Sequence, residues 1–335
     1  MNPIKFSSFI LFLSFIAFHI SCKKDTSDTS TNSSSGTGTN TTNNTTSLTR
    51  YRDSIYSTNS ISSNIQFGQA STFGGISNNL LLDFYQPSSD TAKSRPLVIL
   101  VFGGGFTTGD KTVLSALAKR FNAYGYASAC TSYRLYDGPT PISNTNLKKQ
   151  ILLDIQDIKA TVRFFKKDAA TTNTYKIDTN RIFLIGHSAG SMIVLHEAYM
   201  NSISKVTAQD PSFVSVINSN GGLEGNTGNP GYSSKVKGVI NLAGGLLFKN
   251  YIQTGDIPGL HVYGTNDNIM PFNDGILSLP TISSIAVSGS ASLSTQSTAV
   301  NVTNSLYSIS KGDHFSPTTD NTAFTKMVSF LYQNL

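Results

Sequence analysis

The chain has 335 residues, with 25 basic and 19 acidic side chains and a formal net charge of +6. Its hydrophobic share of 39% allows a sizeable buried core. Its charged share of 13% is about half the usual value for soluble domains, with Ser, Thr and Asn filling the deficit. The basic excess forms no dense stripe, which argues against nucleic acid as a partner. Lys148, Lys149, Lys166 and Lys167 are spread along one amphipathic helix and read as its solvated face.

In chain order, the first element is a targeting segment. Lys5 precedes a mainly apolar run, Phe6 to Ile20, that is shorter than the ~20 residues needed to span a bilayer. A positive start, an apolar centre and a small residue before the cut describe a secretory signal over residues 1–21. The pair Ser21-Cys22 resembles the processing site of bacterial lipoproteins, although His19 stands where such signals carry Leu. That resemblance implies lipidation of Cys22 and a membrane anchor at the bacterial outer membrane or cell surface. A periplasmic or secreted protein is the alternative. Residues 22–50 are rich in Ser, Thr and Asn and lack the apolar surface to offset chain entropy, so they are expected to form a disordered tether.

Residues 51–335 alternate short apolar runs with helical ones, the pattern of a mostly parallel sheet covered by helices. Strands are expected at Leu80–Tyr85, Pro96–Phe102, Tyr126–Tyr133, Arg181–Ile185, Val236–Leu242, Gly259–Tyr263 and Leu306–Ile309. Helices are expected at Leu114–Tyr124, from Ser188 onward, and at Asn321–Tyr332. Between Leu147 and Asp168 the residues Leu147, Ile151, Ile155, Ile158, Val162 and Phe165 recur at three- and four-residue steps, one stripe of a long helix. Cys130 falls in an apolar strand and reads as a buried, inert thiol. The stretches 201–235 and 272–304 read as Gly-, Ser- and Asn-rich insertions suited to capping or lining a pocket.

The chemistry centres on Gly186-His187-Ser188-Ala189-Gly190, a G-x-S-x-G motif between an expected strand and an expected helix. A sharp turn there lifts the serine hydroxyl above the strand's carboxyl end, and the glycines allow the close approach of strand and helix. The motif alone is weak in a chain this rich in Gly and Ser, so its placement must carry it.

A serine hydroxyl needs a base, and elimination among the five histidines leaves one. His19 lies in the signal, His187 occupies the motif's variable position, His196 is two turns along the next helix, and His261 is inside a strand. His314 alone sits in a loop just past a strand. The base in turn needs a carboxylate. Asp267 follows the strand ending at Tyr263, on the carboxyl side where sites in such sheets form. Asp256 precedes that strand, Asp274 lies further along, and Asp313 abuts the histidine itself. The oxyanion needs N–H donors. The run Phe102-Gly-Gly-Gly-Phe106 after a strand offers one set, and the amide of Ala189 the other. No His or Cys pair stands at ligand spacing, so neither a metal nor a cofactor is expected.

These elements, in the order Gly-rich loop, Ser, Asp, His, resemble the bacterial carboxylesterase and lipase branch of the α/β-hydrolases, including hormone-sensitive-lipase-like and feruloyl-esterase-like members. The resemblance covers about Leu80 to Leu335. It implies an α/β-hydrolase fold, hydrolysis of carboxylic esters of small molecules, carbohydrates or lipids, and an oxyanion hole at Gly104, Gly105 and Ala189. Two positions depart from it. Phe102 replaces the His of the family's His-Gly-Gly-Gly, which removes a loop-anchoring hydrogen bond, and His187 stands where the hormone-sensitive-lipase-like group has Asp. A peptidase or amidase on the same fold is the nearest rival reading, and a non-catalytic binding protein on that scaffold the more distant one. The stretch Gly221 to Gly231 suggests no chemistry, and Glu224 within it reads as a loop or solvated residue.

Overall fold

The structure is a computed structural model in which residues 48–335 are described. The expected signal at 1–21, the lipidation site Cys22 and the tether as far as residue 47 lie outside the described residues. The last residues assigned to that tether are held to the domain. Thr49 N–H donates to Asp53 at 2.7 Å, and Arg50 pairs with Asp90 at 2.6 Å.

Eight strands form one sheet: β1 (Asn59–Ser71), β2 (Ser77–Pro87), β3 (Arg95–Val101), β4 (Ala127–Thr131), β5 (Ile177–His187), β6 (Gly238–Leu242), β7 (Gly259–Gly264) and β10 (Asn304–Ile309), in the spatial order β1-β2-β4-β3-β5-β6-β7-β10. The β1–β2 and β2–β4 pairs are antiparallel, and every later pair is parallel. The central strands are apolar at consecutive positions because both of their faces are covered. Along β3, Leu97, Ile99 and Val101 pack toward α2 (Asn144–Ala170) and α3 (Ala189–Tyr199). Val98 and Leu100 pack toward α1 (Ser115–Ala123) and α8 (Asn321–Gln333). Each such fully buried side chain stabilises the fold by about 1.5–3 kcal/mol.

The periodic stripe read from Leu147 to Phe165 is buried on α2, which Ser143 caps by accepting from Asn146 N–H. Helix α3 is buried on every side, wedged between sheet and α2, which explains why its sequence shows no polar face. Of the four lysines expected on the solvated face of α2, Lys167 is exposed and the others are half-buried: Lys148 pairs with Asp210, Lys149 lies over the Phe73 ring, and Lys166 donates to the Lys235 carbonyl. Cys130 is buried, and burial pushes its thiol well above the ordinary range, as befits an inert position.

β1 has no counterpart among the expected strands, because this edge strand buries little beyond Phe67 and is held by backbone pairing rather than by an apolar pattern. For 272–304 the sequence suggests only a capping or pocket-lining insertion, with no element assigned to it. That segment forms the hairpin β8 (Asp274–Leu279) and β9 (Ile282–Ser288) followed by α6 (Ser290–Ala299). The other insertion, 201–235, carries α4 (Ile203–Gln209) and α5 (Phe213–Ser219) and leans on α2. Glu224 is what fastens it: its carboxylate accepts from Lys159 at 2.9 Å, Arg163 at 2.7 Å and Ser234 at 2.9 Å.

Beside that clamp, Glu197 at the far end of α3 is buried with its Oε1 3.9 Å from Lys159 and no partner for Oε2 among the described residues. Burial raises its carboxyl to about 7, against the opposing pull of Lys159. The native protein therefore holds a proton there that the unfolded chain releases near the ordinary Glu value. The stability this gives is complete at low pH and is lost as pH rises through about 7. Glu197→Gln removes that loss. Its melting temperature is expected to match the parent's near pH 4 and to exceed it at pH 8, a gain on the order of 3 kcal/mol at most. Thermal denaturation at the two pH values checks this, and a gap that does not widen with pH defeats it.

Candidate active site

The motif serine sits where β5 gives way to α3, at φ 54° and ψ −121°. A non-glycine residue held there costs on the order of 1–3 kcal/mol, so the surroundings must impose it. They do so by close approach. A Cβ on Gly186 would lie 2.3 Å from the Gly190 carbonyl oxygen, and one on Gly190 would lie 2.2 Å from that of Val101. The first glycine lets strand and helix meet, as read from the motif, and the second lets the helix start against the neighbouring strand. Ser188 N–H donates to the Leu242 carbonyl at 2.9 Å, extending the β5–β6 ladder into the turn.

The three side chains selected from the sequence meet. His314 Nε2 is 2.8 Å from Ser188 Oγ, and His314 Nδ1 is 2.8 Å from Asp267 Oδ2. The Asp267 side chain is fully buried, and its other oxygen accepts from the N–H groups of Ile269 at 2.8 Å and Met270 at 3.0 Å. With one oxygen fixed by the loop's own backbone, the other is aimed at the imidazole. The loops after β7 and β10 are stitched together: Thr265 N–H donates to Ile309, Asn266 N–H to Gly312, and Lys311 N–H to the Thr265 hydroxyl. Gly264 makes this possible, since a Cβ there would lie 2.3 Å from the Asp313 carbonyl oxygen.

The rejected candidates have structural duties instead. Asp256 pairs with Lys205, Asp274 with Lys249, and Asp313 accepts from the N–H groups of Phe315 and Ser316 ahead of α7 (Ser316–Thr319). His196 and His261 are buried, and burial pushes both down to about 4. His196 accepts from Leu247 N–H, and His261 lies against the Asn241 amide. His187 is also buried and pushed down to about 4 by its burial, with its Nε2 3.0 Å from the His314 carbonyl oxygen.

The glycine loop after β3 lies against the serine. A Cβ on Gly103 would fall 2.8 Å from Ser188 Cβ, a constraint that the glycine run alone does not reveal. Gly104 takes φ +136° and its carbonyl accepts from Thr107 and Thr108 N–H, which closes the loop into a turn. The anchoring bond missing with Phe102 is replaced: Tyr133 donates its hydroxyl to the Phe102 carbonyl at 3.1 Å, and the two rings stack with centroids 4.5 Å apart. Gly104 and Gly105 line the same cavity as Ser188, and Ala189 is the first residue of α3, whose opening N–H groups lack intrahelical acceptors. The cavity holds about 350 Å³. Its wall is mainly apolar, with Leu114, Leu117, Ile269, Leu279 and Phe315 around the polar Ser188 and His314. Of the two insertions, 272–304 contributes Leu279 to this wall, and 201–235 contributes no lining residue. The arrangement can polarise a serine hydroxyl toward a carbonyl held in an apolar pocket beside backbone donors.

A mostly parallel sheet with helices on both faces, and a serine lifted at the strand–helix turn, define an α/β-hydrolase fold. Solved structures share it. One is titled a truncated carbohydrate esterase from gut microbiota, with a TM-score of 0.60 and 17% identity over 84% of this chain and 98% of that one. Thermogutta terrifontis esterase 2, phosphorylated by paraoxon, has a TM-score of 0.57 and 16% identity over 81% and 91% of the two chains. Its propionate-bound form has a TM-score of 0.54 and 17% identity over 76% and 88%. No curated protein sequence matches the chain. The BD-FAE family model matches residues 82–249, and the chain belongs to that family of esterase-type domains. It is a carboxylic ester hydrolase.

Proposed function

We propose that the enzyme cleaves small-molecule esters by two-step acyl transfer through Ser188, His314 and Asp267. The single observation behind this reading is the continuous hydrogen-bonded chain from Asp267 through His314 to Ser188 Oγ. His314 Nε2 takes the hydroxyl proton as Ser188 Oγ attacks the ester carbonyl, and the amides of Gly104, Gly105 and Ala189 receive the oxyanion. Collapse of the tetrahedral intermediate expels the alcohol, protonated by His314. Water then enters, loses a proton to His314 and releases the acid by the same route. Asp267 holds the imidazole with Nδ1 protonated and offsets its charge when Nε2 is protonated too.

The mainly apolar wall suits an acyl group, and a neighbour titled as a carbohydrate esterase supports a sugar-borne acyl ester as one substrate type. We further read the protein as exported and lipidated at Cys22, on the strength of the apolar run ahead of that cysteine. One experiment addresses both readings. Cells expressing the full chain are treated with a fluorophosphonate and partitioned with Triton X-114. A single adduct on Ser188 is expected, in the detergent phase, moving to the aqueous phase for Cys22→Ala. A folded protein that takes no label, or is labelled elsewhere, defeats the catalytic reading. An adduct in the aqueous phase from the parent chain defeats the anchor.

A further inference from the structure

We infer that His187 is a positioning residue that sets the height of His314 over the serine through a ring N–H bonded to the His314 carbonyl. This rests on the triad reading above, since it concerns the proposed base.

The contact itself is short and enclosed. His187 Nε2 lies 3.0 Å from the His314 carbonyl oxygen, and both residues are buried. Among the described residues no other donor reaches that carbonyl. A carbonyl oxygen only accepts, so Nε2 must carry the proton and donate. Burial keeps the ring neutral, with a pKa pushed down to about 4, and a neutral ring has one N–H to give. Its single donor is thus committed to the backbone of the base.

The anchor point is rigid. His187 is the last residue of β5, in register with Leu242 of β6, and is adjacent in sequence to Ser188. Nucleophile and anchor therefore share one stretch of fixed backbone. The base, by contrast, is carried on a loop with Lys311 at positive φ and turn bonds to the Asp267 loop. Those bonds tie base to acid; the His187 bond ties base to nucleophile. The His187 ring packs against its neighbours on that loop, 5.1 Å from the His314 ring and 5.5 Å from the Phe315 ring between centroids. On its other side, a Cβ on Gly103 would stand 3.1 Å from His187 Nδ1, so the ring is held between the glycine loop and the base loop. The imidazole at the motif's variable position accordingly braces three catalytic segments that come from distant parts of the chain.

The consequence is kinetic. His314 Nε2 must stay 2.8 Å from Ser188 Oγ, and displacement of a reacting group by about 1 Å can cost on the order of 10²-fold in rate. Two variants separate the hydrogen bond from mere filling of space. Met in place of His187 fills the site without a donor, whereas Gln carries an amide N–H that can reach the carbonyl. With a p-nitrophenyl ester, His187→Met is expected to lower kcat by about 10- to 100-fold with KM little changed, and His187→Gln to recover most of that loss. A parental kcat in His187→Met overturns the inference. So does a His187→Gln enzyme as slow as His187→Met, which would assign the effect to ring shape.

The parent protein supplies a check that needs no variant to fold. In ¹⁵N-histidine-labelled enzyme the His187 ring is expected to be neutral with its proton on Nε2, and a proton on Nδ1 overturns the inference. His314→Ala in the same assay distinguishes the two claims. Its loss of activity beside a parental His187→Met defeats the positioning role alone. Retained activity in His314→Ala defeats the triad reading and the positioning role with it.

Discussion

Ser188→Ala is expected to lower kcat by about 10⁴-fold or more while KM stays close to the parent's and the fold survives. The substitution removes one oxygen. That oxygen lies 2.8 Å from His314 Nε2, to which its O–H donates when Nδ1 carries the imidazole proton. Alanine keeps the Cβ and so keeps the backbone cost of φ 54°, and the turn remains held by the Ser188 N–H bond to Leu242. Stability is thus expected to change by well under the strain energy itself, and the kinetic loss reports chemistry rather than unfolding. Steady-state hydrolysis of a short-chain p-nitrophenyl ester, with melting temperature measured alongside, decides it. A kcat within tenfold of the parent's would mean that another nucleophile is at work.

Asp267→Asn should fall almost as far, about 10⁴-fold in kcat, for a different reason. The asparagine oxygen can still accept from Ile269 and Met270 N–H, where Oδ1 now accepts at 2.8 and 3.0 Å. Its NH₂ group must then face His314 Nδ1, at the place of the Oδ2 that now lies 2.8 Å from it. Two donors cannot face each other, so the imidazole turns over its tautomer: Nδ1 becomes the acceptor and the proton moves to Nε2. A base protonated at Nε2 cannot take the proton of Ser188. Geometry is preserved and function is not, so the loss is expected in kcat with binding of substrate intact. Asp267→Ala, which also frees the two N–H groups, is expected to add a stability loss of about 1–3 kcal/mol. Comparable kcat values for Asp267→Asn and the parent would remove Asp267 from the triad.

Much of this site could be read from the chain because the chemistry constrains which residue types can stand where. His314 stands out by exclusion, since the other candidates lie in a strand, a helix or the signal, or at the motif's variable position. Asp267 emerged from its place after a strand. What stayed hidden were contacts between segments far apart in sequence. Gly264 reads as an ordinary glycine before a turn, and only the packing of Asp313 against it shows why no side chain fits. Tyr133 gives no sign that its hydroxyl takes over the anchoring of the glycine loop. The role of Glu224 was equally unreadable, because its partners Lys159 and Arg163 lie some sixty residues earlier on α2. In the fold, the parallel strands announced themselves by apolar runs, whereas β1 and the β8–β9 hairpin did not. The edge strand β1 buries little beyond Phe67, and the hairpin buries Leu277, Ile282, Ile285 and Val287 at uneven steps, so neither leaves a two-residue period in the sequence.

The β8–β9 hairpin has a bearing on how such an enzyme can diversify. Leu279 at the end of β8 forms part of the cavity wall, and the nearby Thr281 hydroxyl lies 3.6 Å from where a Cβ on Gly105 would stand. Yet the hairpin belongs to no strand of the main sheet. It is fastened by two isolated bridges, Ile142 with Ile282 and Leu246 with Ser288, and by the side chains of Leu277, Ile282, Ile285 and Val287, which reach into the core. The hydrogen-bonded Ser188, His314 and Asp267 and a part of the cavity wall beside them are therefore carried on different supports. Changes at the tip around Leu279 and Thr281 can reshape the cavity wall while the core-facing Leu277, Ile282, Ile285 and Val287 and the ends of β5, β7 and β10 stay in place, so the shape of the space and the geometry of the serine can be altered one at a time.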